Sequence, residues 1–248
     1  MASENISTDS ELRRLVQRFA DSQLNLHPPT GYGRYEPLRA DLRQYVNGGW
    51  IHHPLFVGEV QNAGYCGHIH TTIDARQRRL ESLLGEGRYD DAVMTHETPY
   101  MLDALEQYAN HLDDAMFWKT FGMVWQMSEN LWQYQPAIRR IMDHNRPRRD
   151  EMMTAKERHA VGTMPDPIAI YRGYTRPGSM KGWSWTTDPD KADWFARRFA
   201  DAGGACFVAE GTVSKQYLIA YFTGRNESEI VVDPGRVVVS TMRRIKVT

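Results

Sequence analysis

The sequence predicts an α+β protein, with an N-terminal helical domain packed on a C-terminal domain that consists mainly of β-strands. Up to about residue 145, apolar residues recur every three or four positions, which is the spacing of one face of a helix. After residue 165, short runs of β-branched and aromatic residues alternate with Gly, Pro and Asp, which is typical of strands joined by turns. We therefore expect a helical domain over residues 1–160 and a second domain over residues 161–248.

Helical spacing recurs in several segments of the first part, namely 12–19, 38–45, 80–84, 101–108 and, as the longest, 113–130. The stretch 143–157 holds Pro147 and several basic residues, and we expect it to be the junction between the domains. In the second part, the segment 189–202 shows helical spacing again, through Ala192, Phe195, Ala196 and Phe199. One helix is therefore expected among the strands.

Composition sets the limits of the functional interpretation. The chain has 248 residues with a formal net charge of −1, so any attraction to nucleic acid must come from a local patch. Cys66 and Cys206 are far apart in the sequence, which suggests no disulfide framework and makes a reducing cytoplasm the default expectation. A basic, apolar leader and long apolar runs are missing, so we expect neither export nor contact with a membrane.

Three polar signals are embedded in the strand-like sequence of the second part. Arg172 follows the run Ile-Ala-Ile-Tyr, Ser184 and Thr186 alternate with a tryptophan, and Glu227 and Glu229 precede the run Ile-Val-Val. Two carboxylates at i and i+2 of an extended chain point to the same side, so they can act on one bond as acid, base or cation stabiliser. Together these residues predict a site.

Cleavage of an N-glycosidic bond is the chemistry that such a site fits. The reaction builds positive charge on the ribose, and a fixed carboxylate stabilises this oxocarbenium-like state in a dry pocket. Glu229 is the candidate for that carboxylate. Arg172 supplies a planar fork of donors suited to a phosphate or pyrophosphate. Two such close carboxylates are also expected to differ in protonation, which leaves one of them as a base.

These motifs, in this order, resemble the branch of the ADP-ribosyltransferase superfamily that is marked by arginine, serine-x-serine/threonine and glutamate. The resemblance covers about residues 165–248. It implies a split β-sandwich, in which two antiparallel sheets enclose a cleft, and a short helix after the serine motif, where 189–202 lies. It further implies NAD as the donor substrate and a mono-ADP-ribosyltransferase activity toward a protein or nucleic-acid acceptor, with a guanidinium group favoured.

The resemblance also implies roles for individual residues. Arg172, with Gly173 beside it, would hold the dinucleotide. Ser184 would hydrogen-bond Glu229 with support from Thr186, Glu229 would bind a ribose hydroxyl, and the first glutamate of the pair would prepare the nucleophile. Weaker candidates for stacking on a planar group are two aromatic residues, Tyr217 and Phe222.

Trp185 departs from the family pattern, because the middle of the serine motif usually holds a small residue. This ring leaves open an N-glycosidase that excises a base from DNA or RNA, uses water as acceptor and needs no cofactor. A cluster of basic and aromatic residues suits nucleic acid through phosphate contacts and stacking: Trp132, Tyr134, Arg139, Arg140, Arg146, Arg148 and Arg149. The same cluster is also typical of a solvated helix end.

Two further alternatives remain open. A catalytically silent module would use the same fold to hold a nucleotide or a protein. Cys66, His68 and His70 would share one face if their segment were extended, which is a weak signal for zinc. Since no second pair of ligands at zinc-finger spacing accompanies them, we predict no metal.

Overall fold

The computed structural model describes residues 38–60, 63–128, 131–198, 200, 204–224 and 227–245. They form two compact units, one from the described parts of 1–128 and 133–145, the other from those of 129–132 and 146–248. Several residues used in the sequence analysis lie outside the described part: the segment 12–19, Phe199, and the side chain of Trp132. No helix within the described ranges is long and apolar enough to cross a membrane.

Helices dominate the first unit, as predicted. They are α1 (Ala63–Gly85), α2 (Tyr89–Met94), α3 (Met101–Tyr108), α4 (Asp114–Met127) and α5 (Gln135–Asp143). Asp113 caps α4, since its side chain accepts a hydrogen bond of 2.8 Å from the backbone N–H of Met116. The apolar face of α4 is fully buried and carries the aromatic core residues Phe117, Trp118, Phe121 and Trp125.

A small antiparallel sheet precedes these helices, and the prediction of helical structure alone was wrong for this part. Residues Ala40–Tyr45 form a 3₁₀-helix, and β1 (Val46–Asn47), β2 (Trp50–His53) and β3 (Phe56–Glu59) follow it. Gly48 and Gly49 join β1 to β2 with φ of 58° and 89°, a left-handed conformation that favours glycine in two-residue hairpin turns. Strands this short show no measurable period.

Two histidines are buried in the first unit. The ring Nδ1 of His53 accepts a hydrogen bond from the backbone N–H of Leu55, and Nδ1 of His96 lies 2.8 Å from the carbonyl oxygen of Ala92. Nε2 of His96 has no hydrogen-bond partner among the described atoms. Burial lowers the pKa of His53 to about 4 and that of His96 to about 4, so both rings are neutral at pH 7.

The second unit contains a six-stranded sheet with two helices. The elements are α6 (Ala155–Thr163), β4 (Ile168–Tyr174), β5 (Ser184–Thr186), α7 (Pro189–Arg198), β6 (Cys206–Val213), β7 (Leu218–Phe222), β8 (Glu229–Val232) and β9 (Val238–Ile245). The strand order is β7-β8-β5-β4-β6-β9, and every neighbouring pair is antiparallel. Helices followed by an antiparallel sheet confirm the α+β class. The predicted domain boundary at residue 160 falls within α6.

The sheet is held together weakly at its centre. β4 and β5 pair at a single position, Tyr171 opposite Thr186, whereas β4 pairs with β6 along its whole length. One face is apolar and contains the core residues Ile168, Ile170, Tyr174, Trp185, Ile230 and Val232. α7 packs against β4 on the other face, where Tyr171 lies against the cluster that includes Ala192 and Ala196. The helix predicted after the serine motif is therefore confirmed over Pro189–Arg198.

We predict that the protein loses stability as the pH falls from about 6.5 toward 4. Unfolded histidines take up protons near pH 6.5, whereas folded His53 and His96 do so only near pH 4, so acid favours the unfolded state. Between pH 7 and pH 5 each ring accounts for a loss of about 2 kcal/mol. Urea unfolding followed by circular dichroism at the two pH values measures this loss.

His96→Gln is expected to remove about half of this acid sensitivity, because the amide retains a donor for the Ala92 carbonyl but does not titrate. His159→Gln is the matched control, since His159 is exposed on α6. Equal acid sensitivity in wild type and His96→Gln would contradict the burial of a neutral ring.

Candidate active site

Glu229 begins β8 and is buried in the sheet, with 6% of its surface exposed. Its direct neighbours across the two flanking strands are Thr186 on β5 and Phe222 on β7, and Thr186 is in turn opposite Tyr171 on β4. Directly opposite residues of antiparallel strands project to the same face. A row of four side chains therefore runs across the sheet, with the Glu229 carboxylate between a threonine and a phenylalanine.

Thr186, rather than Ser184, is the hydroxyl residue directly opposite Glu229. Ser184 lies two residues away on the same face of β5, where it pairs with Val231. The Thr186 hydroxyl donates a hydrogen bond of 2.7 Å to the carbonyl oxygen of Glu227 and accepts one of 3.1 Å from the backbone N–H of Asp188. Thr186 thus fixes the chain just before Glu229. The hydrogen bond expected between Ser184 and Glu229 remains a prediction.

Arg172 lies one residue beyond the single pair that joins β4 to β5, so its side chain leaves β4 on the face opposite Tyr171, Thr186 and Glu229. Its Nη1 donates to the carbonyl oxygen of Ser184, and its Nε donates to the carbonyl oxygen of Ser179 at 2.9 Å. The guanidinium therefore bridges from β4 to the segment that leads into β5, where the ladder has ended. A Cβ on Gly182 would lie 2.2 Å from Nη2, so a larger residue here would require the guanidinium to move from this position.

Arg172 and Glu229 act on each other electrostatically. Burial lowers the pKa of Arg172 to about 10, and the negative charge of Glu229 opposes that shift. A guanidinium remains charged at this pKa in neutral solution. The site thus holds a desolvated cation and a buried carboxylate, each of which reduces the cost of burying the other.

Glu227 has a different environment from Glu229. It lies before β8 and is only partly buried, and its backbone N–H donates to the carbonyl oxygen of Gly224 at 3.3 Å. Ser228, between the two glutamates, has φ of 47°, a left-handed conformation that costs a residue other than glycine about 1–3 kcal/mol. The argument that i and i+2 residues point to one side does not hold here, because it requires an extended chain.

Gly173 and Trp185 have packing roles. A Cβ on Gly173 would lie 2.1 Å from the carbonyl oxygen of Ala192 and 2.5 Å from the backbone nitrogen of Ala196, so α7 covers this glycine. Trp185 is 3% exposed in the apolar core, and its indole N–H donates to the carbonyl oxygen of Gly182 at 3.0 Å. The expectation that Trp185 contacts nucleic acid in the N-glycosidase alternative is corrected, because its ring is buried on the face opposite Glu229.

The two weaker aromatic candidates occupy opposite ends of β7. Phe222 is 1% exposed and directly opposite Glu229, where it supplies an apolar neighbour rather than an open stacking surface. Tyr217 precedes Leu218, whose partner is Val232 at the far end of β8. Its ring lies under the guanidinium of Arg236, 4.8 Å from the ring centre. Five residues of strand separate Tyr217 from Phe222, about 17 Å, so this tyrosine is remote from Glu229.

The basic and aromatic cluster is divided between the two units. Tyr134, Arg139 and Arg140 belong to the first unit, and Trp132 and the remaining arginines, Arg146, Arg148 and Arg149, belong to the second. Tyr134 is 4% exposed, so its ring is part of a core instead of a stacking surface.

Several of these charges already have acidic partners. Arg140 forms hydrogen bonds of 2.9 and 2.7 Å to the carboxylate of Glu106, and Arg148 pairs with Glu151 at 3.0 Å. Burial lowers the pKa of Arg149. These contacts weaken the interpretation of the cluster as a single phosphate-binding patch.

Glu157, on α6, was not identified from the sequence as part of the site. It is 4% exposed, and its carboxylate accepts hydrogen bonds from Thr154 and from Thr223, which follows β7. The pattern Thr-x-x-Glu predicts a helix cap, and this capping box is present. No local signal indicates the second partner, because Thr223 is distant in sequence.

The zinc alternative and the comparisons with known proteins give no further assignment. Cys66, His68 and His70 lie on α1, so the extended geometry that would align them is missing. No group of metal-capable side chains that could hold an ion occurs in the described part of the chain.

No family model, curated protein or solved structure matches this chain.

We predict that Gly173→Ala destabilises the second unit by on the order of 3 kcal/mol, because the added methyl group meets the backbone of α7. Thermal or urea unfolding measures the loss. Gly162→Ala is the matched control: nothing lies within 4 Å of its Cβ position in α6, and alanine favours helix. A Gly173→Ala protein as stable as wild type would contradict the close approach of α7 to β4.

Proposed function

We propose that the second unit is the catalytic part of a mono-ADP-ribosyltransferase, which uses NAD as donor and transfers ADP-ribose to an acceptor. The observation that carries this proposal is the buried carboxylate of Glu229, whose negative charge favours the charged form of the Arg172 guanidinium. A buried carboxylate at a strand end is suited to stabilising a transient cation, and a guanidinium is suited to binding an anion. The resemblance of the three motifs supports the same assignment.

The resemblance implies a split β-sandwich of two sheets, whereas the second unit has one six-stranded sheet, so the correspondence between the two is part of the proposal. In the proposed correspondence, β7-β8-β5 forms one half and β4-β6-β9 the other; among the described residues, the ladder between the halves consists of the pair Tyr171 and Thr186. Beyond that pair the two strands separate, and Arg172 occupies the opening between them. The cleft for the dinucleotide is proposed at this opening, where the remaining N–H groups of the guanidinium can meet a pyrophosphate.

In the proposed reaction the bond between C1′ of the ribose and the nicotinamide nitrogen breaks, and its electron pair leaves with nicotinamide. Glu229 stabilises the positive charge that develops on the ribose and holds a ribose hydroxyl. The lone pair of the acceptor then forms the new bond at C1′, and Glu227 accepts the acceptor's proton. Burial fixes Glu229 for the first role, and partial exposure lets Glu227 meet an incoming group.

The acceptor is a protein guanidinium or a nucleobase in this proposal. The N-glycosidase alternative has lost the support of Trp185 and Tyr134, because both rings are buried. The experiment below distinguishes the N-glycosidase and the silent binding module from the proposed transferase. Loss of a base from an oligonucleotide without NAD would favour the glycosidase, and unchanged NAD would favour the silent module.

We predict that the full chain releases nicotinamide from NAD and that Glu229→Gln lowers kcat by about 10²–10³-fold, since one preorganised charge is removed. Labelled NAD is incubated with the protein, with a cell extract and with single-stranded oligonucleotide, and nicotinamide release is followed by chromatography. The label on the ADP-ribose moiety then identifies the acceptor.

Two controls separate chemistry from folding. Glu210 lies on the same sheet, directly opposite Tyr171, and its carboxylate pairs with Arg243. Glu210→Gln is expected to leave kcat unchanged. Melting temperatures of all variants are compared, because Glu229→Gln also removes the countercharge of buried Arg172. NAD left intact by well-folded wild type in every mixture would refute the proposed function.

A further inference from the structure

Glu157 accepts hydrogen bonds from two separate segments of the second unit through its two carboxylate oxygens. Oε2 accepts from the backbone N–H of Thr154 at 2.9 Å and from its hydroxyl at 2.8 Å. Oε1 accepts from the backbone N–H of Thr223 at 2.8 Å and from its hydroxyl at 3.2 Å. Burial alone would raise the pKa of Glu157, but these bonds outweigh it and hold the pKa below its ordinary value.

The hydrogen bonds between Glu157 and Thr223 lie at the edge of the sheet that β7 forms. β7 is the outermost strand of the sheet that the described residues form, so the N–H groups on its outer side face no other strand of that sheet. The N–H of Tyr221 donates to the sulfur of Met153 at 3.2 Å, and the next outward N–H, that of Thr223, donates to Glu157. The segment from Met153 to Glu157 therefore takes the place of a seventh strand along this edge.

From Thr223 a chain of contacts leads to the two glutamates of the candidate site. The carbonyl oxygen of Gly224, the next residue, accepts from the N–H of Glu227, whose own carbonyl oxygen accepts from Thr186. Phe222, which precedes Thr223, is directly opposite Glu229. The connection between β7 and β8 is thus held at its first residue by Glu157 and at its last residues by Thr186.

We infer that Glu157 is a positioning residue for the segment that carries Glu227 and Glu229: its carboxylate fixes Thr223 and thereby the approach of both acids to the substrate. This inference rests on the proposed function for its kinetic readout. It assigns no contact with the substrate to Glu157. Misplacement of a reacting group by about 1 Å is enough to slow a reaction about 100-fold.

Glutamine cannot replace this carboxylate. Each oxygen of Glu157 accepts from a backbone N–H, and an amide has one acceptor oxygen and one NH₂ group that only donates. In either orientation, Glu157→Gln leaves the N–H of Thr154 or of Thr223 facing another donor. The variant therefore releases one of the two segments without changing the volume of the side chain.

Asp166→Asn provides a control with the same chemical change near the other end of β7. Asp166 accepts from the backbone N–H of Lys215 at 3.1 Å and from the hydroxyl of Ser214 at 3.4 Å, just before β7 begins. That end of β7 lies opposite Val232, far from Glu229. Loss of a negative charge near β7 is common to both variants, whereas a positioning effect should appear only in Glu157→Gln.

The test combines kinetics with hydrogen exchange. For Glu157→Gln we expect kcat for nicotinamide release to fall 10- to 100-fold while KM for NAD changes less than twofold. Amides in 221–229 should exchange at least tenfold faster, and Asp166→Asn should leave kcat and these amides unchanged. If Glu157→Gln fails to fold, Thr223→Val serves instead: it removes only the hydroxyl bond, and a fall in kcat of about threefold is expected.

The outcomes distinguish this inference from the proposed function. Unchanged kcat and unchanged exchange in 221–229 of Glu157→Gln would overturn the inference, as would equal effects of Asp166→Asn. If the wild-type chain does not turn over NAD, the proposed function fails. The exchange comparison then decides by itself whether Glu157 holds the segment.

Discussion

The hydrogen bonds and the charge around the partly buried Arg172 guanidinium are the interactions on which the candidate site depends. A cation removed from water requires acceptors and a countercharge, or the fold cannot retain it. Ser179 and Ser184 supply carbonyl oxygens, and Glu229 supplies the negative charge. Because each partner comes from a different segment, the guanidinium fixes the positions of these segments relative to one another. Loss of either charge would leave the other uncompensated in a desolvated place.

The opening between β4 and β5 follows from this arrangement. A regular antiparallel ladder would continue past Tyr171 and Thr186 and would pair Ser184 with β4. Instead, the Ser184 carbonyl accepts from Arg172, so a side chain replaces the next strand–strand bond. The absence of a side chain at Gly182 leaves space for the guanidinium. A sheet whose central ladder ends early can stay intact where a side chain supplies hydrogen bonds in place of the next strand pair, as Arg172 does here.

The sequence predicted the features that local patterns control. Helices such as α4 have an apolar period that can be read along the chain, and the order of Arg172, Ser184 and Glu229 placed these residues on strands. The sheet of β1 to β3 escaped prediction, because its strands of two to four residues are too short to show a period. Partners set by pairing register could not be predicted either. Alternation along β5 indicated that Trp185 projects to one face of the sheet and that Ser184 and Thr186 project to the other. It did not indicate which of the two faces was apolar.

Register also decided which hydroxyl lies opposite Glu229, since a shift of two residues along β8 would exchange Thr186 for Ser184. The role of Glu157 is a similar case. Its capping box is visible in four consecutive residues, whereas its bond to Thr223 spans 66 positions and depends on how α6 lies along the edge of β7. Long-range contacts of buried polar groups carry no local signature, and the candidate site consists largely of such contacts.

The two glutamates differ because the backbone between them is not extended. Ser228 in a left-handed conformation separates Glu229, the first residue of a buried strand, from Glu227, which is partly exposed before it. A buried carboxylate beside a fixed cation cannot move to follow a substrate, which suits it to stabilise charge at one position. A carboxylate outside the strand can adjust to an incoming group and exchange protons with solvent, as a general base must. The left-handed conformation of Ser228 thus gives the two glutamate side chains different environments. Its strain is offset by two hydrogen bonds. The Thr186 hydroxyl donates to the carbonyl oxygen of Glu227, and the backbone N–H of Thr187 donates to that of Ser228.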